Sequence, residues 1–478
     1  MHNKDSKTPN ILVIMSDDQG PWAMQCAGTR ELHTPHLDRI AAEGIRFENF
    51  FCASPVCSPA RASFLTGRMP SQHGIHDWLK HGNMNDSVGK TWHGPEESIE
   101  YLGGLTGFTD ILSQNGYTCG LSGKWHLGAS DVRQKSHDFW CSHALGGDSY
   151  TDYWVFDNSS KMTHKTQYVT DFFTDRAIDF LNEQKYVKQP FCLSVHYTAP
   201  HSPWRESEQP SDIWSMYADI EFSLPVEEVH PWGGWDPSPE QRRETIQGYY
   251  TTITAMDRAI GRILNHLDAT GLAENTILIF TSDNGYSLGH HGIMGKGNGT
   301  YPLNMFEESV KVPFLIRLPG GHMGGKVNSD LLSHYDVMPT LLDYLEVAYT
   351  KNNILPGKSF ASILRNKPAE SGKDSVVICD EYGPNRMLRT TQWKYVYRYS
   401  NGPDELYDLI NDPLERKNLV NEIEFKGQKE LMAKELEEWF KLYVIDQLDG
   451  SRLTTCRGGG QKGSLINNSN NLELFESN

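Results

Sequence analysis

Continuous apolar runs that end in polar clusters constrain the fold of this chain more than any other feature. Residues 11–15 form an uninterrupted run of Ile-Leu-Val-Ile-Met, and residues 277–280 form a second run. Short runs without polar alternation are typical of strands that are buried on both faces of a parallel sheet. Helix patterns alternate with such strands over the first two-thirds of the chain. The sequence therefore predicts an α/β domain with a mostly parallel central sheet flanked by helices.

Helix and strand signals follow one another between these two runs. Thr34 and Pro35 have the pattern of a helix N-cap followed by proline at the first helical position. Apolar residues at helical spacing over 246–267 predict a long amphipathic helix. Further helices are predicted at 36–43, at 61–67 after a tight Ser58-Pro59 turn, and at 108–115, and further strands at 45–51, 117–122, 191–197 and 275–281.

The pattern changes near residue 370, which predicts a boundary between two units. Residues 1–370 form the predicted α/β domain, and residues 371–448 form a predicted smaller α+β subdomain with an antiparallel sheet. Its strands are predicted at 375–380, 386–391, 393–398 and 404–409, and its helix at 425–444. Residues 449–478 are rich in Gly, Ser and Asn, so we expect an irregular, partly mobile C-terminal tail.

The charge balance and the apolar runs exclude two classes of partner. Lys and Arg total 44 against 61 Asp and Glu, which gives a formal net charge of −17. An acidic chain without a basic run is not suited to neutralising nucleic-acid phosphates. No run approaches the about 20 apolar residues of a membrane span. Because the N-terminus is polar, we expect either a cytoplasmic protein or a periplasmic or secreted one whose leader has been removed.

The cysteines are spread thinly, and one of them stands apart. The chain has 8 Cys, and no pair has the spacing of a zinc or redox motif. We expect buried thiols that act as small apolar side chains, except at Cys57. A helix after the segment Cys-Ser-Pro-Ala-Arg would direct its N–H groups at Cys57, lower the pKa of the thiol and favour an anion, with Arg61 as a fixed cation. The plainer interpretation is a buried cysteine before a helix.

Oxygen donors follow two of the predicted strands. Asp17 and Asp18 come directly after the first strand, and Asp283 and Asn284 come after the strand at 275–281. Ligands of open α/β sheets bind at the carboxyl ends of strands, so we expect these side chains to converge. Carboxylates and an amide carbonyl, without His or Cys, suit Ca²⁺ or Mg²⁺ better than Zn²⁺. Taken alone, each pair is more typical of an ordinary turn than of a cation site.

Lysine and histidine stand in glycine- or proline-rich loops after other predicted strands. Lys124 and His126 follow the strand at 117–122. His201 follows the strand at 191–197, and Lys296 lies in a glycine-rich loop. Such loops at one edge of a sheet would form a cationic, titratable pocket for a tetrahedral oxyanion. Any one of these side chains alone is typical of a solvated loop.

Five motifs resemble those of one family in their order and spacing. They are Ser16-Asp17-Asp18-Gln19, Cys57-Ser58-Pro59-Ala60-Arg61 with Leu65-Thr66-Gly67-Arg68, Gly123-Lys124-Trp125-His126-Leu127-Gly128, Ala199-Pro200-His201-Ser202-Pro203, and Ser282-Asp283-Asn284-Gly285 with His291-Gly292 and Gly295-Lys296. In these motifs the chain resembles type I sulfatases of the alkaline-phosphatase-like superfamily from about residue 10 to residue 320. The Leu-Tyr-Asp-Leu segment at 406–409 extends the resemblance into the smaller subdomain.

The resemblance implies a modified nucleophile and a bound cation. A formylglycine-generating maturase would oxidise Cys57 to formylglycine, and the hydrated aldehyde would attack sulfur with one hydroxyl and expel sulfate through the other. Asp17, Asp18, Asp283 and Asn284 would hold Ca²⁺, with Mg²⁺ as the alternative, against this residue and a sulfate oxygen.

The resemblance also implies roles for the cationic residues. Arg61 and Lys124 would orient the gem-diol, and His126 would deprotonate it when sulfate is eliminated. His201 and Lys296 would face the sulfate on the side of the leaving group. One of these two, His201 or Lys296, would protonate the departing alcohol.

The implied activity is the hydrolysis of a sulfate ester, and two alternatives stand beside it. A phosphonate monoester or phosphodiester hydrolase of the same superfamily typically has His where this chain has Asn284, so the asparagine favours sulfate. A non-catalytic binder of sulfated glycans, in which Cys57 is never converted, is the alternative from another class. Retention of every cationic motif residue argues against it.

Aromatic residues near the motifs favour a carbohydrate sulfate as substrate over a small aryl or choline ester. The chain has 12 Trp, and their faces in loops at the rim of a site would suit sugar rings. Packing in the core or in loops explains these Trp equally well. The candidate substrate-binding residues are His73, His76, Asp77, Trp78, Trp204, Arg205 and His291. The sequence leaves the oligomeric state open.

Overall fold

The computed structural model of the chain describes residues 8–84, 97–349, 354–367, 373–399, 402–452 and 460–466. Its strands are β1 (Asn10–Ser16), β2 (Ile45–Phe47), β3 (Phe50–Phe51), β4 (Thr118–Gly123), β5 (Phe139–His143), β6 (Tyr153–Asp157), β7 (Met162–Lys165), β8 (Phe191–His196), β9 (Thr276–Ser282), β10 (Ser287–Leu288), β11 (Met294–Gly295), β12 (Phe314–Arg317), β13 (Lys326–Asn328), β14 (Leu332–Ser333), β15 (Ser375–Asp380), β16 (Asn385–Thr390), β17 (Trp393–Arg398) and β18 (Glu405–Asp408). Its helices are α1 (Pro35–Ala42), α2 (Cys57–Thr66), α3 (Pro70–His73), α4 (Phe108–Gln114), α5 (Val169–Gln184), α6 (Ser211–Met216), α7 (Pro239–Thr270), α8 (Glu307–Val310), α9 (Val337–Tyr344), α10 (Ala361–Leu364) and α11 (Lys426–Tyr443).

A central sheet of 10 strands has the order β13-β2-β12-β9-β1-β8-β4-β5-β6-β7. The five middle strands, from β9 to β5, are parallel to one another. Strands β12, β6 and β7 run antiparallel to their inner neighbours. The predicted α/β fold with a mostly parallel sheet is therefore confirmed.

Alternate residues of the central strand β1 face two different helical layers. Ile11, Val13 and Met15 belong to the core cluster that includes residues of α2, α4 and α9. Leu12 and Ile14 belong to the cluster that includes residues of α1, α5 and α7. Every residue of β1 is buried. Burial on both faces explains why the sequence of this strand is continuously apolar and does not alternate.

Strand register brings the carboxyl ends of the central strands to one level. Ser16 at the end of β1 pairs with Ser282 at the end of β9. His196 at the end of β8 pairs with Met15 on one side and with Gly123 of β4 on the other. The polar segments that follow these strands therefore leave the sheet side by side, as expected for a ligand site in an open α/β sheet.

A separate sheet has the antiparallel order β15-β16-β17-β18. Val376 and Ile378 on one face of it belong to the core cluster of the α/β domain. Val377 and Cys379 on the other face pack with residues of α11. The predicted small antiparallel sheet is confirmed. Because successive side chains of a strand face opposite sides, one face of the sheet packs on the larger domain and the other on α11. The boundary near residue 370 stays a prediction.

Helix α2 begins four residues before the predicted start, at Cys57. The Ser58-Pro59 pair forms the first turn of the helix and not a turn before it. Proline is tolerated there because the first N–H groups of a helix have no partner within the helix. The helix ends at Thr66, and the Gly67 that caps it has a left-handed φ of 66°. Cys57 therefore lies inside the helix, at its first position.

Other predicted elements differ in their ends or caps. The strand predicted at 45–51 is divided, because β2 joins the central sheet and β3 pairs with β14 in a separate one. Thr34 does not cap α1, since its Oγ1 accepts from Gln25 N at 2.9 Å. Asp257 of α7 takes that role by accepting from Leu37 N at 2.8 Å. Helix α6 (Ser211–Met216) has no counterpart among the helices predicted from sequence.

Part of the predicted C-terminal tail is packed against the α/β domain. Gln461 is fully buried, and its backbone forms a parallel bridge with Leu79. Within the described ranges no helix is both long enough and apolar enough to cross a membrane. Of the described cysteines, Cys26 is half-buried and the others are buried, and all are free thiols.

Candidate active site

Three buried carboxylates form the floor of a cluster at the carboxyl edge of the sheet. Asp17 and Asp18 follow β1, and Asp283 follows β9. Asp283 Oδ1 accepts from Asp18 N at 3.1 Å and from Asn284 N at 2.8 Å. Asp18 has a left-handed φ of 64°, a conformation that costs energy for a residue other than glycine. These bonds hold two strand ends in one fixed arrangement.

Each of these carboxylates contacts at least one buried cation. Arg61 Nε of α2 donates to Asp283 Oδ2 at 2.9 Å. Lys124 Nζ contacts Asp17 Oδ2 at 2.5 Å, and Lys296 Nζ contacts Asp18 Oδ1 at 2.6 Å. The structure thus brings together the acidic and cationic residues that the sequence placed in four separate motifs. Three buried negative charges are matched by three positive ones, which limits the cost of burying them.

The surroundings shift the pKa values of the three carboxyl groups in different directions. Burial, and next the charge of Asp283, raise the pKa of Asp17. Burial also acts to raise the pKa of Asp18, but Lys296 and His201 outweigh it and the pKa is lowered. Arg61 and Lys124 likewise outweigh burial and hold the pKa of Asp283 far below its ordinary value. The cations therefore keep Asp18 and Asp283 ionised in a desolvated place.

Cys57 lies directly above this floor. Its Sγ is 3.5 Å from Asp17 Oδ1, and Lys296 Nζ lies 2.8 Å from the sulfur. Burial raises the pKa of the thiol to about 12, although Lys124 and Lys296 act to lower it. The expected lowering of this pKa is wrong, because desolvation of the thiolate outweighs the charges of Lys124 and Lys296. Cys57 is a protonated thiol in this setting and a poor nucleophile as it stands.

The donor atoms beside Cys57 fit a hard divalent cation. Ligand atoms of Asp17, Asp18 and Cys57 all lie within 4.8 Å of one another. Asn284 is fully buried, and its carbonyl Oδ1 has no hydrogen-bond partner among the described residues. A buried amide oxygen without a donor is costly, and a cation would satisfy it. Carboxylate and amide oxygens are the ligands that Ca²⁺ and Mg²⁺ prefer.

A cavity of about 510 Å³ opens above the cluster. His126 Nε2 lies 3.2 Å from Leu79 O, and His201 Nε2 lies 3.7 Å from Asp18 Oδ2. The lining residues are Cys57, Trp78, Leu79, Lys80, Asn83, Lys124, His126, Leu145, Gly146, Gly147, His201, Lys296 and Asn298. The cavity therefore joins the predicted nucleophile position to the residues predicted as catalytic lysines and histidines, Lys124, His126, His201 and Lys296.

Most of the candidate substrate-binding residues lie away from this cavity. His73, His76 and Asp77 are buried behind it, where His76 Nε2 donates to Leu448 O at 2.9 Å and Asp77 accepts from the backbone. Of this segment only Trp78 lines the cavity. The turn after α3 directs the three polar side chains inward, so they support the segment and do not face the cavity.

The other candidate substrate-binding residues also do not line it. Trp204 packs against Tyr249 and Tyr286, and its Nε1 donates to Pro200 O at 2.7 Å. His291 is buried, and its ring is stacked on Phe306. Arg205 follows Trp204 and is exposed. None of the three is among the residues that line the cavity.

Sequence reasoning missed several residues at and beneath the cavity. Lys80, Asn83 and Asn298 line it, and each of the three lies close in the chain to a candidate site residue that was identified. Their proximity to Trp78 and Lys296 is the signal that could have found them. Buried His334 supports the floor from below, since its Nε2 donates to Ser282 O at 3.1 Å. No sequence motif marked His334.

A mostly parallel sheet with this cluster at its carboxyl edge defines an alkaline-phosphatase-like hydrolase, a class of enzymes that cleave oxyanion esters. The family model described as Sulfatase matches residues 9–347. A second model, described as N-sulphoglucosamine sulphohydrolase, C-terminal, matches residues 299–441. The chain belongs to the sulfatase family, and its enzyme class is sulfuric ester hydrolase.

Similar proteins and solved structures agree with this family. An N-acetylglucosamine-6-O-sulfatase of Bacteroides thetaiotaomicron is 28% identical over 538 aligned positions, covering 95% of this chain and 90% of the relative. An ulvan-active sulfatase of Formosa agariphila is 31% identical, covering 89% of this chain and 80% of the relative. A solved structure described as in complex with its substrate, D-glucosamine-2-N,6-O-disulfate, is 25% identical with a TM-score of 0.75, covering 93% of this chain and 99% of the other.

Proposed function

We propose that this enzyme hydrolyses sulfate esters of carbohydrates with formylglycine, formed from Cys57, as its nucleophilic residue. The observation that carries the proposal is the position of Cys57. Its sulfur lies at the bottom of the cavity, at the first position of α2, beside Asp17 and Lys296. A thiol whose pKa is raised to about 12 is a poor nucleophile, so the encoded cysteine is better explained as the precursor of another group.

The hydrated aldehyde of formylglycine supplies a hydroxyl nucleophile for sulfur. Arg61 and Lys124 lie at the floor, where their charges stabilise the negative charge that develops during attack. Lys296 Nζ lies 2.8 Å from Sγ of residue 57, within reach of an oxyanion bound there. A formylglycine-generating maturase is the partner that this modification requires.

Two histidines at the cavity have positions suited to proton transfer. His126 Nε2 donates to Leu79 O, which leaves Nδ1 to accept a proton when sulfate is eliminated. His201 has a side chain 28% exposed, at the open side of the cluster. We assign protonation of the departing alcohol to His201 or Lys296, which both line the cavity on that side.

We assign the cation site to Asp17, Asp18, Asp283 and Asn284, with Ca²⁺ preferred and Mg²⁺ as the alternative. When bound, the cation polarises the sulfate and lowers the pKa of the attacking hydroxyl. The oxygen-only set of side chains and the unsatisfied Oδ1 of Asn284 support a hard cation over zinc.

The size of the cavity and the relatives support a carbohydrate substrate. A volume of about 510 Å³ accommodates more than a sulfate group, and Trp78 offers an aromatic face for a sugar ring. Two similar proteins are named for glycans, N-acetylglucosamine-6-O-sulfatase and ulvan-active sulfatase. A sulfated mono- or oligosaccharide is therefore the substrate class that we propose.

The test is sulfate release from a panel of sulfated mono- and disaccharides by protein co-expressed with a maturase. We expect the intact mass of active protein to be about 18 Da below that of the encoded chain, because S–H and H are replaced by a carbonyl oxygen. Protein that keeps the encoded mass despite co-expression with the maturase, binds sulfated sugars and cleaves none of the panel would support the non-catalytic glycan binder instead.

A comparison of sulfate with phosphonate esters tests the second candidate function. Asn284 gives the site an oxygen-only ligand set, without the histidine that favours a transition metal. We expect kcat/KM for the best sulfate ester to exceed that of the matched phosphonate by at least ~100-fold, or ~2.7 kcal/mol of transition-state discrimination. Equal or faster turnover of the phosphonate would favour the phosphonate monoester hydrolase.

A further inference from the structure

The last described residues of the chain lie against the segment that lines the cavity. We refer to residues 460–466 as the strap and to residues 78–80 as the wall. Gln461 N donates to Trp78 O at 2.8 Å, and Lys80 N donates to Gln461 O at 3.0 Å. All three residues of the wall line the cavity. The strap therefore holds one side of the cavity by backbone pairing. These contacts join segments that are far apart in the sequence, since His76 and Gln461, which are also hydrogen-bonded, are separated by 385 residues.

The side chain of Gln461 is fully buried and fully hydrogen-bonded. Its Oε1 accepts from His76 N at 2.9 Å. Its Nε2 donates to Gly74 O at 3.0 Å and to Gly463 O at 2.9 Å. A buried amide with all of these partners is costly to replace, because each lost bond leaves a desolvated backbone group. One glutamine therefore ties the strap to the residues that lead into the wall.

Gly460 brings the strap into direct contact with the wall. Its N donates to Asp77 Oδ2 at 3.0 Å, and Asp77 Oδ1 accepts from Trp78 N at 2.8 Å. Gly460 has a left-handed φ of 84°. A Cβ at this position would lie 2.9 Å from the ring of Trp78 and 2.9 Å from Lys80 Cβ. Only glycine allows this conformation and this approach together.

The wall in turn holds the histidine that we assign as base. His126 Nε2 lies 3.2 Å from Leu79 O, and a carbonyl only accepts, so Nε2 carries the proton. Asn83 Nδ2 donates to the same oxygen at 2.8 Å. Leu79 N donates to Ser58 Oγ at 3.1 Å, next to the nucleophile position. The peptide groups on both sides of Leu79 thus connect the strap, the start of α2 and His126.

We propose that Gln461 is a positioning residue for His126. By fixing the wall, it holds Leu79 O where it accepts from Nε2 of His126, so that Nδ1, which has no hydrogen-bond partner among the described residues, is left as the proton acceptor. The proposal rests on the proposed function for the role of His126. If Gln461 has this role, the strap influences proton transfer by His126 without touching the substrate.

The first test is Gln461→Leu in the full-length matured protein, with 4-nitrophenyl sulfate as substrate. We expect kcat to fall about tenfold with KM little changed, because misplacement of a proton acceptor slows the chemical steps while the groups that bind sulfate stay in place. The fraction of formylglycine, measured by intact mass, should equal that of the wild type. The matched control is Gln247→Leu, since Gln247 is buried, donates to Trp214 O at 3.0 Å and does not line the cavity.

Hydrogen exchange provides a readout that does not depend on activity. We expect peptides covering residues 74–80 to exchange faster in Gln461→Leu than in the wild type or in Gln247→Leu. Gly460→Ala is a second variant that keeps Gln461 and displaces the wall, so it should show the same loss of kcat. If matured wild-type protein releases no sulfate from 4-nitrophenyl sulfate or from any sulfated sugar of the panel, the proposed function fails, and the exchange measurement still decides whether the strap holds the wall.

Three results would overturn the proposal. The first is unchanged exchange of residues 74–80 in Gln461→Leu. The second is faster exchange of these residues with wild-type kcat. The third is an equal loss of kcat in Gln247→Leu, which would mean that general destabilisation and not the position of the wall causes the effect.

Discussion

Replacement of Cys57 by alanine should reduce the turnover of sulfate esters by at least about 10⁴-fold, because it removes the side chain that we propose as the precursor of the nucleophile. The fold should be retained. Alanine suits the first turn of α2. Loss of Sγ removes its contacts with Asp17 and Lys296, but Asp17 stays paired with Lys124 and Lys296 stays paired with Asp18. The measurement is kcat with a sulfated sugar and with an aryl sulfate, with thermal unfolding of the same samples.

A cysteine elsewhere in the sheet provides the control for this variant. Cys141 of β5 is fully buried and does not line the cavity. Cys141→Ala removes a buried thiol of the same size, so it should lower stability by about 1–2 kcal/mol and leave kcat close to that of the wild type. Hydrolysis by Cys57→Ala at a rate near that of the wild type would contradict a formylglycine mechanism. Loss of activity in both variants would point to disruption of the sheet.

The central fold could be predicted from sequence because it depends on local patterns. Strand β1 shows this, since every residue of 11–15 is apolar and each faces one of two helical layers. The convergence of Asp17 with Asp283 was also predictable, because the carboxyl ends of parallel strands lie at the same edge of a sheet. Register in the structure pairs Ser16 with Ser282 and places the two aspartates at one level.

Features that depend on desolvation and on distant chain segments could not be predicted in this way. The helix dipole at Cys57 is visible in the sequence, but complete burial is not, and burial decides the pKa of the thiol. The positions of His73 and His76 depend on a turn whose inner side is closed by residues near 448. Gln461 reaches the wall from a region whose composition indicated an irregular tail.

Removal of divalent cations should lower kcat/KM by at least about 10³-fold, and Ca²⁺ should restore it. Three carboxylates share the floor with Arg61, Lys124 and Lys296, and Lys296 Nζ contacts Asp18 Oδ1 at 2.6 Å. Asp18 would serve as one ligand of the proposed cation, and a bound cation would weaken the pairing of this carboxylate with the Lys296 ammonium. The charge of Lys296 would then be available to the sulfate group.

Asp18→Asn tests the assigned ligands by a route other than activity. The variant keeps the shape of the side chain and removes one charge from the site, so Ca²⁺ should bind at least about 100-fold more weakly, or ~2.7 kcal/mol. Calorimetric titration measures this directly. A rise of Tm with Ca²⁺ concentration should be seen in the wild type, where a ligand at 100 times its Kd adds about 2.7 kcal/mol of stability, and should be much smaller in the variant.

Asp336→Asn separates a specific effect on the cation from the loss of any buried charge. Asp336 is fully buried and paired with Lys373 Nζ at 2.5 Å, and it does not line the cavity. This variant should be destabilised while its affinity for Ca²⁺ stays that of the wild type. Stoichiometric zinc without calcium in active enzyme, or equal affinity for Ca²⁺ in wild type and Asp18→Asn, would overturn the oxygen-ligated site. The assignment of a hard cation rests on four side chains that offer oxygen donors, and above all on the unsatisfied Oδ1 of Asn284. The difference in Ca²⁺ affinity between Asp18→Asn and Asp336→Asn therefore tests its physical basis.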